Sequence, residues 1–397
     1  MKDRIVVLAV LAITLIAGSS ISVAVCAAAG EGSASEDSSL ITITDLDDRT
    51  VTIEGPVESV VLADAEAINV FAAVEGPDFI DYLSGVCSAL DTNYPDLLNA
   101  YSEDYPQMAE IPRVGDLEKS TFSVEEVVTL NPDVVILPLW CKTYGMVPDI
   151  GPLDKAGIPV VYVDFYLNPY GGDSYERSVS LIGTLLGKEE KADQIIDYYS
   201  RQVEDVFSRV KDIEGDLETT VYIEYPNSGA DQYGITMSHS GMALPIDYSG
   251  GKNIADDVIA RSGQINPEYL INADPDVIIF CMVPGTLTDS GDNIVGFGAH
   301  PSQDEVDKVI DKYTDRSGWS SLKAVKDGNV YFYYSGLGFS IENFVILQSM
   351  AKWFYPNEFS DIEPIQNMKE FYDRFMPIHL DGTWYFNNQE TLSSDGR

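Results

Sequence analysis

One pattern of twelve residues occurs twice in this chain, and the two copies lie 143 residues apart. Residues 125–136 align without a gap with residues 268–279. In each copy a glutamate opens a helical pattern, a Pro-Asp pair ends it, and a β-branched run typical of a buried strand follows. A repeated unit of this kind favours two similar α/β units over one continuous sheet.

A long amphipathic helix is predicted between the two copies, over residues 187–213. Its apolar residues recur at steps of three and four, which places them on one helix face. Gly187 fits the end of a preceding helix, and about 26 residues of helix would span roughly 39 Å. The predicted fold class is therefore α/β, with two Rossmann-like lobes that contain mainly parallel sheets and are joined by one long helix.

The N-terminal segment has the pattern of an export signal. Lys2 and Arg4 precede an apolar run that is shorter than a comfortable membrane span, and small residues follow it. The full predicted division is a signal peptide or lipoprotein signal at 1–29, a flexible spacer at 30–39, an N-terminal lobe at 40–186, the interlobe helix at 187–213, a C-terminal lobe at 214–376 and a polar C-terminal tail at 377–397.

Two alternatives remain open for the cysteines and the signal. The small residues at 27 and 29 form a cleavage site, whereas residues 23–26 resemble a lipoprotein box in which Cys26 would be lipidated. The mature protein is then expected at the cell surface or in a periplasm-like space, free or lipid-anchored.

Cys87 and Cys141 either form a disulfide or, with Cys281, are buried thiols.

The charge balance, the positions of the histidines and the missing motifs argue against several kinds of partner and chemistry. Asp and Glu number 64 against 24 Lys and Arg, a formal charge of −40, which opposes binding to nucleic acid or to an anionic membrane surface. The three histidines all follow the predicted interlobe helix, so no zinc or manganese site shared by both lobes is predicted. No phosphate loop, cysteine cluster or nucleophile–base motif is present, and we predict neither an enzyme nor a resident cofactor.

Short motifs along the chain resemble those of a known family, the substrate-binding proteins of ABC importers for iron complexes, haem and cobalamin. The resemblance covers most of residues 41–359 and depends on the order and spacing of short motifs rather than on any one of them. These motifs are DDRTVTI at 47–53, VG at 114–115, LNPDVV at 130–135, GIPVV at 157–161, GGKNIA at 250–255 and AVKDGNVY at 324–331.

The resemblance implies a function and partners. The chain would capture a ferric siderophore, haem or a corrinoid between its lobes, so that the ligand itself contains iron or cobalt, and deliver it to an ABC permease and its ATPase. Glu125 and Glu268 match the positions where such proteins meet permease arginines. The alternatives are a binding protein for an oxyanion such as molybdate or tungstate, and a chelatase-like enzyme built on the same lobes.

Candidate ligand-binding residues follow from the fold class. In parallel α/β lobes, ligands contact the loops at the carboxyl ends of the strands. These loops are rich in aromatic residues, which suit a large planar or macrocyclic ligand. The predicted ligand-binding residues are Tyr94, Trp140, Lys142, Tyr144 and Tyr166 before the interlobe helix, and Tyr225, Tyr233, His239 and Tyr334 after it.

Overall fold

The fold is given by a computed structural model, which describes residues 39–166, 170, 172–213, 219–283, 285–287, 289, 291–388 and 391–393. The predicted signal segment, Cys26 and all of the predicted spacer except Ser39 lie outside these residues. None of the helices in the described part combines the length and the apolar character that a membrane span requires.

The N-terminal lobe is built on a four-stranded parallel sheet with strand order β4-β3-β5-β6, preceded by an antiparallel hairpin of β1 and β2. Strands β3, β5 and β6 are fully buried and rich in Val, Ile and Leu, as expected for a parallel sheet covered on both faces. Its strands are β1 Leu40–Thr44, β2 Thr50–Glu54, β3 Val60–Leu62, β4 Leu83–Val86, β5 Val134–Pro138 and β6 Val160–Val163, and its helices are α1 Ala67–Glu75, α2 Ala89–Thr92, α3 Pro95–Asp104, α4 Val124–Leu130, α5 Leu139–Thr143, α6 Gly151–Ala156 and α7 Ser174–Leu186.

One helix, α8 Glu189–Asp212, connects the lobes. Gly187 ends α7 in the left-handed conformation, with φ of 64°, as its position between two helical patterns predicts. The 24 residues of α8 correspond to roughly 36 Å of helix. Its buried face contacts both lobes: Tyr199 stacks on Tyr175 of α7 at 3.6 Å, and Tyr198 donates a hydrogen bond to the carbonyl of Asn367 at 2.7 Å.

The C-terminal lobe contains a seven-stranded sheet with the order β12-β14-β13-β11-β7-β9 and β15 paired to β14. Strands β13, β11, β7 and β9 are parallel, and β12, β14 and β15 form an antiparallel edge. The strands of the C-terminal lobe as a whole are β7 Thr219–Glu224, β8 Thr236–Met237, β9 Gly251–Asn253, β10 Ser262–Gly263, β11 Val277–Met282, β12 Gly296–Phe297, β13 Val330–Tyr334, β14 Gly382–Phe386 and β15 Thr391–Ser393. The helices of this lobe are α9 Leu244–Tyr248, α10 Pro267–Ala273, α11 Gln303–Thr314, α12 Lys323–Asp327, α13 Asn343–Phe354 and α14 Pro364–Phe375.

The two copies of the repeat fold in the same way. Helices α4 and α10 end at Asn131 and Asp274, which are equivalent in the repeat and adopt left-handed conformations with φ of 50° and 43°. Asn and Asp are the non-glycine residues that tolerate this conformation best, because their short side chains hydrogen-bond locally. The strands that follow, β5 and β11, each lie inside a sheet.

The aspartate of each Pro-Asp pair has the same structural role. Asp133 Oδ2 accepts a hydrogen bond from the backbone N–H of Ser59 at 2.9 Å, immediately before β3. Asp276 Oδ2 accepts one from the backbone N–H of Thr220 at 2.9 Å, in β7. Each carboxylate therefore ties the start of the repeat strand to its neighbouring strand, which confirms that the repeat is one structural unit used in both lobes.

One local expectation is wrong. The segment predicted as a polar tail at 377–397 contains β14, whose five residues are all buried, with Trp384 and Phe386 at 0% exposure. Residues 250–254, which belong to the GGKNIA motif, include the edge strand β9, paired in parallel with β7. Strands β14 and β9 each pair with a strand that is distant in the sequence, β13 and β7 respectively.

Candidate functional site

The two sheets direct the carboxyl ends of their parallel strands toward one cavity between the lobes. Residues immediately after the strands line this cavity, as expected for parallel α/β units. The cavity has a volume of about 590 Å³, within the range of small-molecule binding sites. The lining residues that lie a few positions or less beyond a strand end are Ala63 and Asp64 after β3, Cys87 after β4, Trp140 after β5, Tyr166 after β6, Tyr225 after β7, Val283 after β11 and Ser335 after β13.

Aromatic side chains from both lobes form much of the cavity wall. The structure brings together five of the predicted residues, and Phe339 of the C-terminal lobe lies with them. These tyrosines and tryptophan provide broad apolar contact with polar groups at their edges. The predicted residues in the cavity are Tyr94, Trp140, Tyr144 and Tyr166 from the N-terminal lobe and Tyr225 from the C-terminal lobe.

Two ring contacts connect the lobes at the cavity. Tyr166 stacks on Phe339, with ring centroids 4.8 Å apart and an interplanar angle of 29°. The guanidinium of Arg261 lies 4.2 Å from the centre of the Tyr144 ring, a cation–π contact. Arg261 is a cavity residue that the sequence pattern does not reveal, because it follows no strand of the main sheet.

Four carboxylates on the N-terminal side of the cavity were not predicted. Asp64 and Glu66 follow β3, and Asp116 and Glu118 lie in the loop before α4. The available signal was their position after a strand and after the VG motif at 114–115. Among 64 acidic residues, that signal did not distinguish these four.

Asp64 and Glu66 form a close carboxyl pair beside Tyr94. Asp64 is 7% exposed, and the Tyr94 hydroxyl donates a hydrogen bond to Glu66 Oε1. Burial raises the pKa of Asp64 well above its usual value, and the neighbouring Glu66 carboxylate raises it further. Burial followed by the same glutamate also raises the pKa of Tyr94. Asp64, Glu66 and Tyr94 therefore form one cluster of acidic side chains at the cavity wall.

Asp116 and Glu118 extend the acidic surface. Asp116 is 3% exposed, and its carboxylate accepts hydrogen bonds from the backbone N–H groups of the next turn. The Lys119 ammonium lies 3.0 Å from Asp116 Oδ2 as an ion pair. Burial, then the charge of Glu66, raises the pKa of Glu118. The charge of Glu66 therefore acts on Glu118 across the cavity wall.

Four predicted residues lie outside the cavity lining. Lys142 forms an ion pair with Asp47 on the outer surface of the N-terminal lobe. Tyr233 accepts a hydrogen bond from Trp319 Nε1 at 2.8 Å, and its ring packs against Arg316 in the C-terminal lobe. Tyr334 is 3% exposed and, with Glu66 and Tyr94, lines a separate buried space of about 20 Å³ behind the main cavity.

His239 is the fourth of these residues. Its Nδ1 lies 3.1 Å from Asp247 Oδ2 and its Nε2 lies 3.6 Å from Asp256 Oδ2. The hydrogen bond with Asp247 raises the pKa of the imidazole. Within the described residues these three side chains form a group with metal-ligand spacing, within 4.8 Å of one another. Because the imidazole is exposed and both ring nitrogens face carboxylates, the arrangement is adequately explained as a surface ion-pair cluster.

The three described cysteines are free and buried, so no disulfide joins Cys87 to Cys141. Cys87 lines the cavity, and burial raises its pKa, which makes it a poor thiolate and a poor metal ligand. Burial raises the pKa of Cys141 to about 12, with the same consequence.

Comparison with known proteins places the chain among binding proteins. A family model described as periplasmic binding protein matches residues 93–336. A crystal structure of the TroA-like periplasmic binding protein FepB from Veillonella parvula is 33% identical, with a TM-score of 0.79, and the match covers 87% of this chain and 99% of that one.

Two further relatives are named for the ligands that they bind. The molybdate-binding protein MolA of Haemophilus influenzae is 22% identical over 355 residues, which are 84% of this chain and 90% of MolA. The periplasmic haem-binding protein RhuT from Roseiflexus sp. RS-1 has a TM-score of 0.52 at 17% identity, covering 76% of this chain and all of that one, and so shares the fold alone. Because one fold occurs in both a molybdate-binding and a haem-binding protein, the fold does not identify the ligand, and the chemistry of the cavity has to indicate it.

Proposed function

Because this chain belongs to the periplasmic binding protein family, we propose that it captures an iron complex, haem or a corrinoid in the interlobe cavity. It is a substrate-binding protein of an ABC transporter and not an enzyme. The observation that carries the ligand proposal is the cavity of about 590 Å³, whose walls include aromatic side chains from both lobes. Such walls suit a ligand with a large planar or apolar face.

A second candidate is an oxyanion such as molybdate or tungstate. The similarity to MolA over most of both chains favours it. Among the described residues, however, Arg261 is the one cationic side chain that lines the cavity, and four carboxylates line it too. A small dianion would lie near these carboxylates in a volume much larger than it needs, so the metal-complex proposal is better supported.

The ligand proposal is tested by a thermal-shift panel on the purified protein. Aquacobalamin, haemin, a neutral ferric siderophore and molybdate are added separately, and we expect one of the metal complexes to raise the melting temperature. The Trp140→Ala variant should lose most of that rise, whereas Tyr105→Ala, whose ring packs on Phe79 away from the cavity, should retain it. A rise with molybdate alone would support the second candidate, and no rise with any compound would reject the capture of these ligands.

We also propose that Glu125 and Glu268 dock the protein on its permease. Both are exposed first-turn residues at equivalent positions of the repeat, one on each lobe. Within the described residues neither carboxylate has an ion-pair partner, so each is available to an arginine of the partner, which can bind a carboxylate with two hydrogen bonds. Because the two acids are on different lobes, their separation also depends on how the lobes are arranged.

The docking proposal predicts a separation of uptake from binding. The double variant Glu125→Lys with Glu268→Lys should abolish uptake in cells, because each lysine faces the permease arginines with like charge. Ligand affinity of the purified variant should stay within about twofold of the wild type, since surface changes remote from a site are usually small in effect. The adjacent exposed residue supplies the control, Glu126→Lys, which should preserve uptake. Loss of ligand affinity in the double variant would contradict the assignment.

A further inference from the structure

The charges that line the interlobe cavity are distributed unequally. All four carboxylates, Asp64, Glu66, Asp116 and Glu118, belong to the N-terminal lobe. In the part of the chain that the structure describes, the C-terminal lobe contributes one charged side chain to the lining, Arg261. A ligand between the lobes therefore faces a concentrated acidic surface on one side.

Neighbouring cations neutralise this acidic surface only in part. Lys119 lies 3.0 Å from Asp116 Oδ2, and its ammonium also donates a hydrogen bond to Thr92 Oγ1 at 2.7 Å. Within the described residues, Asp64, Glu66 and Glu118 make no ion pair. Lys119 and Arg261 therefore offset two of the four formal negative charges, and the cavity keeps a negative balance in a partly enclosed space where charge interactions are strong.

The charge of Glu66 acts on two of the other carboxylates, Asp64 and Glu118. The pKa of Asp64 and that of Glu118 are both raised, first by burial and next by the charge of Glu66. Mutual repulsion of this kind is relieved when a positive charge enters the space that the groups share. The folded protein without ligand thus holds these groups in an arrangement that a cation would stabilise.

The aromatic walls provide a second, independent observation. The faces of Trp140, Tyr144, Tyr166 and Tyr225 are rich in π-electron density, and such faces attract cations. The structure already contains an instance, because the Arg261 guanidinium lies 4.2 Å from the centre of the Tyr144 ring. Aromatic faces next to carboxylates form a suitable environment for a cation with an apolar body.

We propose that the interlobe cavity selects ligands with a net positive charge and a flat apolar body, and that it disfavours anions of similar size. The inference rests on the proposed function, because it assigns a charge class to the ligand of the same site. Within that proposal it favours a cationic metal complex over haem, whose two propionates are anionic, and over molybdate. The carboxylates contact the cationic part of the ligand, and the aromatic rings contact its faces.

The test uses two dyes that share a three-ring xanthene core and differ in charge, pyronin Y as the cation and fluorescein as the anion. Binding to the full-length purified protein is measured by fluorescence anisotropy at moderate salt. We expect pyronin Y to bind at least about tenfold more tightly, a difference of about 1.4 kcal/mol. The Glu118→Gln variant should weaken pyronin Y about threefold or more and should not weaken fluorescein.

A matched control separates the cavity from the overall charge of the protein. Glu190→Gln removes the same charge from the exposed first turn of α8, away from the cavity lining, and should leave the affinity for both dyes unchanged. Equal binding of the two dyes, or equal effects of the two substitutions, would overturn the charge inference.

If haemin or molybdate stabilises the wild type and Trp140→Ala abolishes this effect, the charge inference fails while ligand capture stands. If no compound of the earlier panel binds but pyronin Y is still preferred, the proposed ligands fail while the charge preference stands.

Discussion

Asp64 illustrates how a single residue can be costly for folding and suitable for binding. It is 7% exposed beside Glu66, and its raised pKa arises first from burial and then from that neighbour. An aspartate whose pKa is raised in the folded state makes its full contribution to stability below its ordinary pKa of 3.8, and that contribution is lost as the pH rises through the raised value. At neutral pH the ligand-free protein therefore bears an electrostatic cost at this position.

We expect Asp64→Asn to stabilise the ligand-free protein at pH 7 by about 1 to 3 kcal/mol, because asparagine keeps the side-chain shape but has no ionisable group in a site that disfavours the carboxylate form. The difference from the wild type should shrink as the pH falls toward about 4, where the aspartate is protonated. Urea denaturation across this pH range measures it. The exposed Asp81→Asn is the control and should change little. Destabilisation at pH 7, or a pH-independent difference, would contradict this account.

The repeat and helix α8 explain the architecture at the level of secondary structure. Each repeat copy places a buried strand inside a parallel sheet, and α8 packs against both lobes between them. Val203, at 6% exposure, lies near the middle of the buried face of α8. The position, length and boundaries of this helix follow from its periodicity and from Gly187, which is why it could be predicted closely.

Val203→Pro should destabilise the protein by about 3 kcal/mol or more, because proline removes a backbone hydrogen bond and clashes with the preceding turn. Val203→Ala isolates the loss of side-chain packing and should cost less. Thermal denaturation followed by circular dichroism compares the two variants. If proline and alanine have the same cost, the continuity of α8 contributes little to stability, and its role in connecting the lobes must be revised.

At the level of the whole molecule, a buried polar network also joins the lobes. Asn69 of α1 donates a hydrogen bond from Nδ2 to Glu342 Oε1 at 3.1 Å and accepts one from the Tyr101 hydroxyl at 2.9 Å. The Tyr372 hydroxyl donates to the same Glu342 oxygen at 2.6 Å. Asn69 and Glu342 are 3% and 1% exposed. Buried hydrogen bonds between lobes, together with one continuous helix, should restrict their relative motion.

Asn69→Ala should lower stability by about 1 to 3 kcal/mol, because it leaves the Tyr101 hydroxyl and one Glu342 contact unsatisfied in a buried space. It should also broaden the distribution of lobe separations measured by small-angle X-ray scattering without ligand. The exposed Asn99→Ala on α3 provides the control and should leave both quantities unchanged. An unaltered scattering profile in a destabilised Asn69→Ala variant would indicate that α8 and the other interlobe contacts keep the lobes in place without this network.

The sequence determined the fold class, the interlobe helix and part of the cavity. Helical and strand periodicities are local, and the repeat at residues 125–136 and 268–279 marks both lobes without knowledge of distant contacts. Tyr94, Trp140, Tyr144, Tyr166 and Tyr225 were identified because the ends of parallel strands meet at one edge of a sheet.

Only the tertiary structure decided which polar groups meet in the cavity. Glu66 and Glu118 are separated by many residues and look like the other acidic side chains of a chain with 64 of them, so their proximity is a property of the folded lobe. The same reason explains the error at β14, since its residues become a strand by pairing with β13 and β12. Charge and pairing across long sequence separations depend on which segments the fold brings together.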